Sequence, residues 1–228
     1  MDKARIIHNL EAAEAALAEG RSLKGTGFWR AVDAARVNPE VAAEFGGRIA
    51  AIDTEAFERG VRLRVPAGVG TTVLAAGAGA AVAALIVASG IQSRFLRTVV
   101  FLGAFGTLEL TTHSLAHWVV GRMMGMRFTH YFLGGPPPPR PGTKIDYSTY
   151  LKVPPARRAF MHASGAVVTK VLPFALIPAA VRLDLPRWAI YLLVAVGVLQ
   201  LVTDVLFSTK TSDWKKVKRE LEAARKQL

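Results

Sequence analysis

Four long apolar stretches constrain this chain more than any other feature of its sequence. They span residues 66–91, 95–121, 159–181 and 188–208. Charges inside them are rare, with Glu109 in the second stretch, Lys170 in the third and Asp204 in the fourth. About 20 apolar residues are enough for a helix to cross the hydrocarbon core of a bilayer. The sequence therefore predicts four transmembrane helices.

The charges that the apolar stretches exclude are unevenly distributed over the rest of the chain. Hydrophobic residues make up 51% of the sequence, yet its net charge is +12. Seven Lys and Arg residues lie in 122–158 and seven more follow residue 208, whereas the other two connections carry two each. The positive-inside rule then predicts that both termini and the long loop are cytoplasmic. We expect an integral protein of a prokaryotic plasma membrane, with the lipid bilayer and not nucleic acid as its partner.

Sequence patterns outside the predicted transmembrane helices indicate three further structural elements. Residues 1–64 contain short amphipathic helical patterns and form a cytoplasmic helical region, followed by a membrane domain over 65–208. Within the long loop, RFTHYFLGG and TKIDYSTYLKVPP alternate as in a β-hairpin, and PPPPRPG between them favours a polyproline connector. Residues 209–228 form a basic helix with Ser212 and Asp213 as N-cap residues. The predicted fold is an all-α polytopic membrane protein with a small cytoplasmic hairpin between its second and third transmembrane helices.

A pair of histidines in the second stretch, within THSLAHWVVG, predicts a metal site. His113 and His117 are four residues apart, so they face the same side of a helix. Counting residues from the predicted helix ends places His162 and Asp204 at a similar depth on the cytoplasmic side. We expect zinc, because the set offers nitrogen and oxygen ligands and the chain has no cysteine. The competing interpretation is that these imidazoles only form hydrogen bonds to neighbouring helices.

Two further ionisable residues lie deeper, near the middle of the membrane. Glu109 and Lys170 are each eleven or twelve residues from a cytoplasmic helix end. A buried ion pair between them would offset the cost of placing either charge in lipid. Alternatively, Glu109 joins the metal site, because it is four residues before His113 and continues the histidine stripe.

The order of these pieces resembles the site-2 protease family of intramembrane zinc metalloproteases. HSLAHWVVGRMMGMRF is similar to the helix that carries the family's H-E-x-x-H motif, and YFLGGPPPP with KIDYSTYLKVPP is similar to its membrane-associated hairpin. ARRAFMHASGAVV is similar to the following alanine-glycine-proline helix, and Asp204 stands where a later helix supplies an aspartate. The resemblance covers residues 95–208. It implies zinc bound by His113, His117 and Asp204, with His162 as a further candidate, and cleavage of transmembrane segments.

Several residues depart from the family pattern, and they leave the activity open. Ser114 replaces the glutamate that activates the zinc-bound water, Ala166 replaces the motif proline, and Val205 replaces the glycine after the aspartate. One hypothesis is an active metallopeptidase with Glu109 as a substitute base. The alternative is an inactive pseudoprotease that binds or regulates membrane-protein partners. A third hypothesis, a small transporter with Glu109 and Lys170 on its permeation path, lacks the inverted repeat expected of that class.

Overall fold

The computed structural model describes residues 1–134, 140–206 and 212–227. Four helices are long and apolar enough to cross a membrane, as the sequence predicts, and this is consistent with an integral membrane protein. They span Ala67–Ala88, Arg94–Met123, Pro155–Arg182 and Arg187–Asp204. The predicted polyproline run over 136–139 lies outside the described residues.

Helices dominate the described chain, with one small sheet. In chain order the elements are α1 (Lys3–Ala18), α2 (Phe28–Val37), α3 (Pro39–Gly60), β1 (Leu63–Pro66), α4 (Ala67–Ala88), α5 (Arg94–Met123), β2 (Phe128–Gly134), β3 (Arg140–Ile145), α6 (Tyr147–Tyr150), α7 (Pro155–Ala175), α8 (Ile177–Arg182), α9 (Arg187–Leu206) and α10 (Asp213–Arg225). They fall into two compact units. The first contains Met1–Gly70, Gly121–Ala159 and Arg219–Leu228, and the second contains Thr71–Val120 and Phe160–Lys218.

Three helices form the core of the first unit. Apolar residues of α1 at helical spacing, including Ile6, Leu10 and Leu17, are almost completely buried. Asn38 caps α3, because its side chain accepts hydrogen bonds from two backbone amides of the first turn and Pro39 opens the helix. The amphipathic pattern of residues 1–64 therefore folds as helices that bury one apolar face.

An antiparallel sheet of three strands completes this unit. Strands β2 and β3 form the predicted hairpin, and β1 adds a third strand that the sequence analysis did not predict. Phe132 on β2 packs edge-on against Phe57 of α3, with ring centroids 5.1 Å apart. Lys144 of β3 forms an ion pair with Asp53 of the same helix. The sheet thus packs against α3 through an aromatic contact and a buried pair of charges.

A cluster of buried charges also belongs to the first unit. The carboxylate of Glu220, on α10, is completely buried and lies 2.9 Å from Nε of Arg158 and 3.6 Å from Nε of Arg36. Tyr150 donates its hydroxyl proton to the same carboxylate over 2.8 Å. Burial and the charge of Glu220 raise the pKa of Tyr150 well above its ordinary value. Glu220 therefore compensates the charge of Arg158 and shares that of Arg36 with Asp33, which lies 2.7 Å from the same guanidinium group.

Parts of the apolar helices form the second unit. One apolar cluster of this unit includes Phe101 of α5, Ala180 of α8 and Leu193 of α9. The third predicted span is not one regular helix, because α7 ends at Ala175 and α8 begins at Ile177. Prolines at 173 and 178 interrupt the pattern, since each lacks a backbone N–H donor. This break still leaves a continuous apolar segment of sufficient length.

Candidate metal centre

Helix α5 places two imidazoles side by side in the second unit. His113 and His117 are four residues apart on a regular helix, and their Nε2 atoms are 3.3 Å apart. His117 is buried, whereas the side chain of His113 is 38% exposed. The i,i+4 spacing in the sequence is therefore sufficient to predict this part of the site.

The environment of His117 selects one tautomer of its imidazole. Its Nδ1 lies 2.7 Å from the carbonyl oxygen of Met161, which can only accept a hydrogen bond. Nδ1 therefore carries the proton in the neutral ring, which leaves the lone pair of Nε2 to bind a cation or a further proton. A hydrogen bond of this kind fixes the ring orientation of histidines that bind metals.

A glycine on α7 makes room for this arrangement. A Cβ atom added to Gly165 would stand 2.7 Å from Cδ2 of His117 and 2.8 Å from the carbonyl oxygen of His113. No side chain fits there without displacing the imidazole or the backbone. The Ser164–Gly165–Ala166 motif found in the sequence thus includes a position where α7 lies too close to α5 for a side chain.

The third member of the group is Asp213, the first residue of α10. Its Oδ2 atom is 3.2 Å from Nε2 of His113 and 3.2 Å from Nε2 of His117. Its other carboxylate oxygen lies 2.9 Å from the ammonium of Lys216. Burial by itself raises the pKa of Asp213. Hydrogen bonds with the two histidines and the charge of Lys216 outweigh burial, so the pKa lies well below its ordinary value.

The geometry and chemistry of this group fit a tetrahedral metal ion. We call His113, His117 and Asp213 the triad; their ligand atoms form a triangle with sides of 3.2 to 3.3 Å. Three ligands of a tetrahedral ion, each about 2.0 Å from it, stand roughly 3.3 Å apart. The lone pair of Nε2 in His117 and the carboxylate both require a positive partner, which a divalent cation or additional protons on the imidazoles can supply. Two nitrogens and one oxygen also suit zinc.

The other residues predicted for the site have partners in the structure that differ from those predicted from the sequence. Asp204 is outside the triad. It forms an ion pair with Lys170 and accepts a hydrogen bond of 2.8 Å from Nε1 of Trp214. Glu109 accepts a hydrogen bond of 2.9 Å from Gln200. The contacts of the described residues thus pair Lys170 with Asp204, whereas the sequence analysis predicted a pair between Lys170 and Glu109.

His162 is close to the triad but separate from it. Its ring centroid is 6.5 Å from that of His117, and the ring is buried. Among the described residues, the group that can hold a metal contains His113, His117 and Asp213, without His162. His162 therefore packs beside His117 and is not a member of this group.

A polar cavity of about 380 Å³ opens beside the triad within the second unit. Its lining includes His113 and Asp213 together with Glu109, Lys170, Gln200 and Asp204. The triad therefore has an open side, as expected of a site where a metal keeps a position for water or a substrate.

Asp213 is the member of the triad that the sequence analysis did not assign to the site. The sequence marks it only as part of a helix start, and Ser212 does cap α10 by accepting a hydrogen bond of 3.4 Å from the backbone amide of Lys215.

Comparisons with protein-family models, curated proteins and solved structures find no match to this chain. The interpretation of the site therefore depends on its geometry.

Proposed function

We propose that this chain is a zinc-binding integral membrane protein of the site-2 protease type, with His113, His117 and Asp213 as the metal ligands. The observation that carries the proposal is the triangle of acceptor atoms, whose sides of 3.2 to 3.3 Å match a tetrahedral ion. The open side of the triad toward a polar cavity supports a site that admits water or a substrate. Asp213 thus replaces Asp204 in the ligand set inferred from the family resemblance.

Metal content tests this assignment directly. We expect about one zinc ion per chain in the detergent-purified protein, and its loss in the double variant His113→Ala/His117→Ala and in Asp213→Asn. Asp204→Asn is the matched control, because it removes a carboxylate from the same cavity without touching the triad. Loss of zinc in Asp204→Asn with retention in Asp213→Asn would refute the proposed ligand set. Absence of zinc from every sample would leave a proton-bridged cluster of imidazoles and carboxylate.

Hydrolysis of peptide bonds is the activity that the cavity favours. A bound zinc ion lowers the pKa of its water and polarises a carbonyl group. Ser114 cannot act as the general base at neutral pH. Glu109 lines the same cavity as His113 and Asp213, and its Oε1 atom is buried without a hydrogen-bond partner. We assign Glu109 as the group that accepts the proton from water, with a transmembrane segment of another protein as the substrate.

An inactive pseudoprotease is the second candidate, and Ser114 is the observation that favours it. The experiment uses a fluorogenic transmembrane peptide in detergent with the zinc-loaded protein. An active enzyme cleaves it, and Glu109→Gln slows cleavage by about 100-fold or more. A pseudoprotease leaves the peptide intact, and Ser114→Glu then produces cleavage by restoring a base next to His113. Glu40→Gln, in the exposed first turn of α3, is a control that leaves either result unchanged.

The finer topology is also a proposal. We infer that both termini face the cytoplasm of a prokaryotic plasma membrane, because seven Lys and Arg residues lie in 122–158 and seven follow residue 208. Alkaline phosphatase fused after residue 228 is expected to be inactive, since that enzyme matures only outside the cytoplasm. An active fusion would show that residue 228 faces away from the cytoplasm and would refute the inferred orientation.

A further inference from the structure

Two buried oxygen atoms in the cavity beside the triad lack hydrogen-bond partners. They are Oε1 of Glu109 and Oε1 of Gln200. The same two side chains are joined by a hydrogen bond of 2.9 Å from Nε2 of Gln200 to Oε2 of Glu109. This bond fixes which end of the Gln200 amide is the oxygen. Its Oε1 is therefore an oriented acceptor, and leaving such an atom buried without a donor costs about 1 to 3 kcal/mol.

The nearest cation in the cavity is already engaged. Lys170 forms an ion pair with Asp204 and donates a hydrogen bond of 3.2 Å to the carbonyl oxygen of Ala166. The hydroxyl of Thr203 also donates to its own helix, over 3.3 Å to the carbonyl oxygen of Gln200. No described side chain donates a hydrogen bond to Oε1 of Gln200, so its donor comes from a bound molecule.

The balance of charge indicates a neutral donor. Three carboxylates line the cavity, from Glu109, Asp204 and Asp213, together with the ammonium of Lys170. A divalent ion at the triad brings the sum of these formal charges to zero. A further cation would then be buried without compensation, which is costly. An N–H group of a peptide bond supplies the hydrogen bond without adding charge.

We propose that Gln200 is a specificity-determining residue. Its Oε1 atom accepts a hydrogen bond from a main-chain N–H of a bound peptide, and the neighbouring carbonyl group of that peptide lies at the triad. This inference rests on the proposed zinc site and its peptide substrate. In this proposal the hydrogen-bonded side chains of Gln200 and Glu109 have different roles. Gln200 orients the bound segment through one acceptor, and Oε1 of Glu109 stays available for the proton of water. The site then distinguishes a peptide bond from an ester, which has the same shape but lacks the N–H donor.

The test compares three zinc-binding probes on the zinc-loaded protein. Acetohydroxamic acid reports on the metal alone. N-acetyl-leucyl-leucine hydroxamate contains an amide between its leucyl residues, and its depsipeptide counterpart contains an ester there. We expect the wild type to bind the amide probe about tenfold more tightly than the ester probe. We expect Gln200→Leu to lose this preference by weakening the amide probe alone. Thr203→Val, which lines the same cavity, is the control that retains it.

The outcomes separate the inference from the proposed function. If acetohydroxamic acid fails to bind any variant, the zinc site is refuted and the role of Gln200 is refuted with it. If it binds all variants equally but the wild type has no preference for the amide probe, the zinc site stands and the inference is overturned. A preference that survives in Gln200→Leu overturns it as well. Equal weakening of both peptide probes by Gln200→Leu would show that the residue only maintains the shape of the cavity.

Discussion

Replacing the buried carboxylate of Glu220 by an amide should strongly destabilise the first compact unit. Glu220 is completely buried, and its partners Arg158 and Arg36 are 1% and 6% exposed. The variant Glu220→Gln keeps an acceptor for the hydroxyl of Tyr150 but leaves the buried charge of Arg158 without its carboxylate partner, whereas Arg36 retains its ion pair with Asp33. The gross attraction across the 2.9 Å contact with Arg158 is about 6 kcal/mol at an effective dielectric constant near 20. Desolvation offsets part of it, and breaking a buried pair from one side costs about 3–5 kcal/mol.

Thermal unfolding in detergent measures this loss. For a chain of this size the expected decrease in the unfolding temperature is roughly 10 °C. Glu222→Gln is the control, because it makes the same chemical change at an exposed position of α10 and should shift the temperature by no more than about 2 °C. A second variant, Glu220→Leu/Arg158→Met, replaces the pair by apolar groups and should recover most of the stability. Equal unfolding temperatures for Glu220→Gln and Glu222→Gln would show that the carboxylate of Glu220 does not stabilise the fold by compensating a buried charge.

Three further predictions concern contacts described above. Gly165→Ala should weaken zinc binding by about tenfold, because the added methyl displaces an imidazole, whereas Gly106→Ala, where a Cβ meets no described atom within 4 Å, should leave the Kd unchanged in a competition titration. The raised pKa of Tyr150 means that the folded protein retains a proton that the unfolded chain releases near pH 10, so stability falls as pH rises above 10. Unfolding temperatures between pH 9 and 12 should therefore decline less in Tyr150→Phe, and an identical slope would contradict the raised pKa. Lys170→Met should lower the unfolding temperature by leaving Asp204 without its ion pair, and adding Asp204→Asn should restore part of it; additive effects in this double-mutant cycle would exclude coupling.

The apolar helices and the histidine pair follow from short-range patterns in the sequence. A stretch of about 20 apolar residues has few alternatives to a long buried or membrane-spanning helix. The i,i+4 spacing of His113 and His117 fixes their common face as soon as the helix forms. Both predictions depend on residues that are close together in the chain, and the structure agrees with both.

The placement of Asp213 and the pairing of the third strand depend on contacts between distant residues. Counting residues from helix ends gives Asp204 a suitable depth, but it says nothing about which later segment turns back toward α5. Asp213 reaches His117 across 96 positions of the chain, and the sequence assigned it only a capping role. Strand β1 likewise pairs with β2 after two intervening helices, and all four of its residues are exposed. Residues 61–65, VRLRV, do alternate between apolar and basic side chains, but the sequence analysis did not use this short pattern.

The distance along the chain between His117 and Asp213 also sets an order of assembly. Ribosomes add about 5 to 20 residues per second, so roughly 5 to 20 s separate the synthesis of these two residues. During that interval the third and fourth apolar helices are still being synthesised, and the two histidines have not met the carboxylate of Asp213. The three side chains can therefore come together only after all four apolar helices have been synthesised. Any chemistry that needs the complete triad is thereby delayed until the apolar part of the described chain has been made.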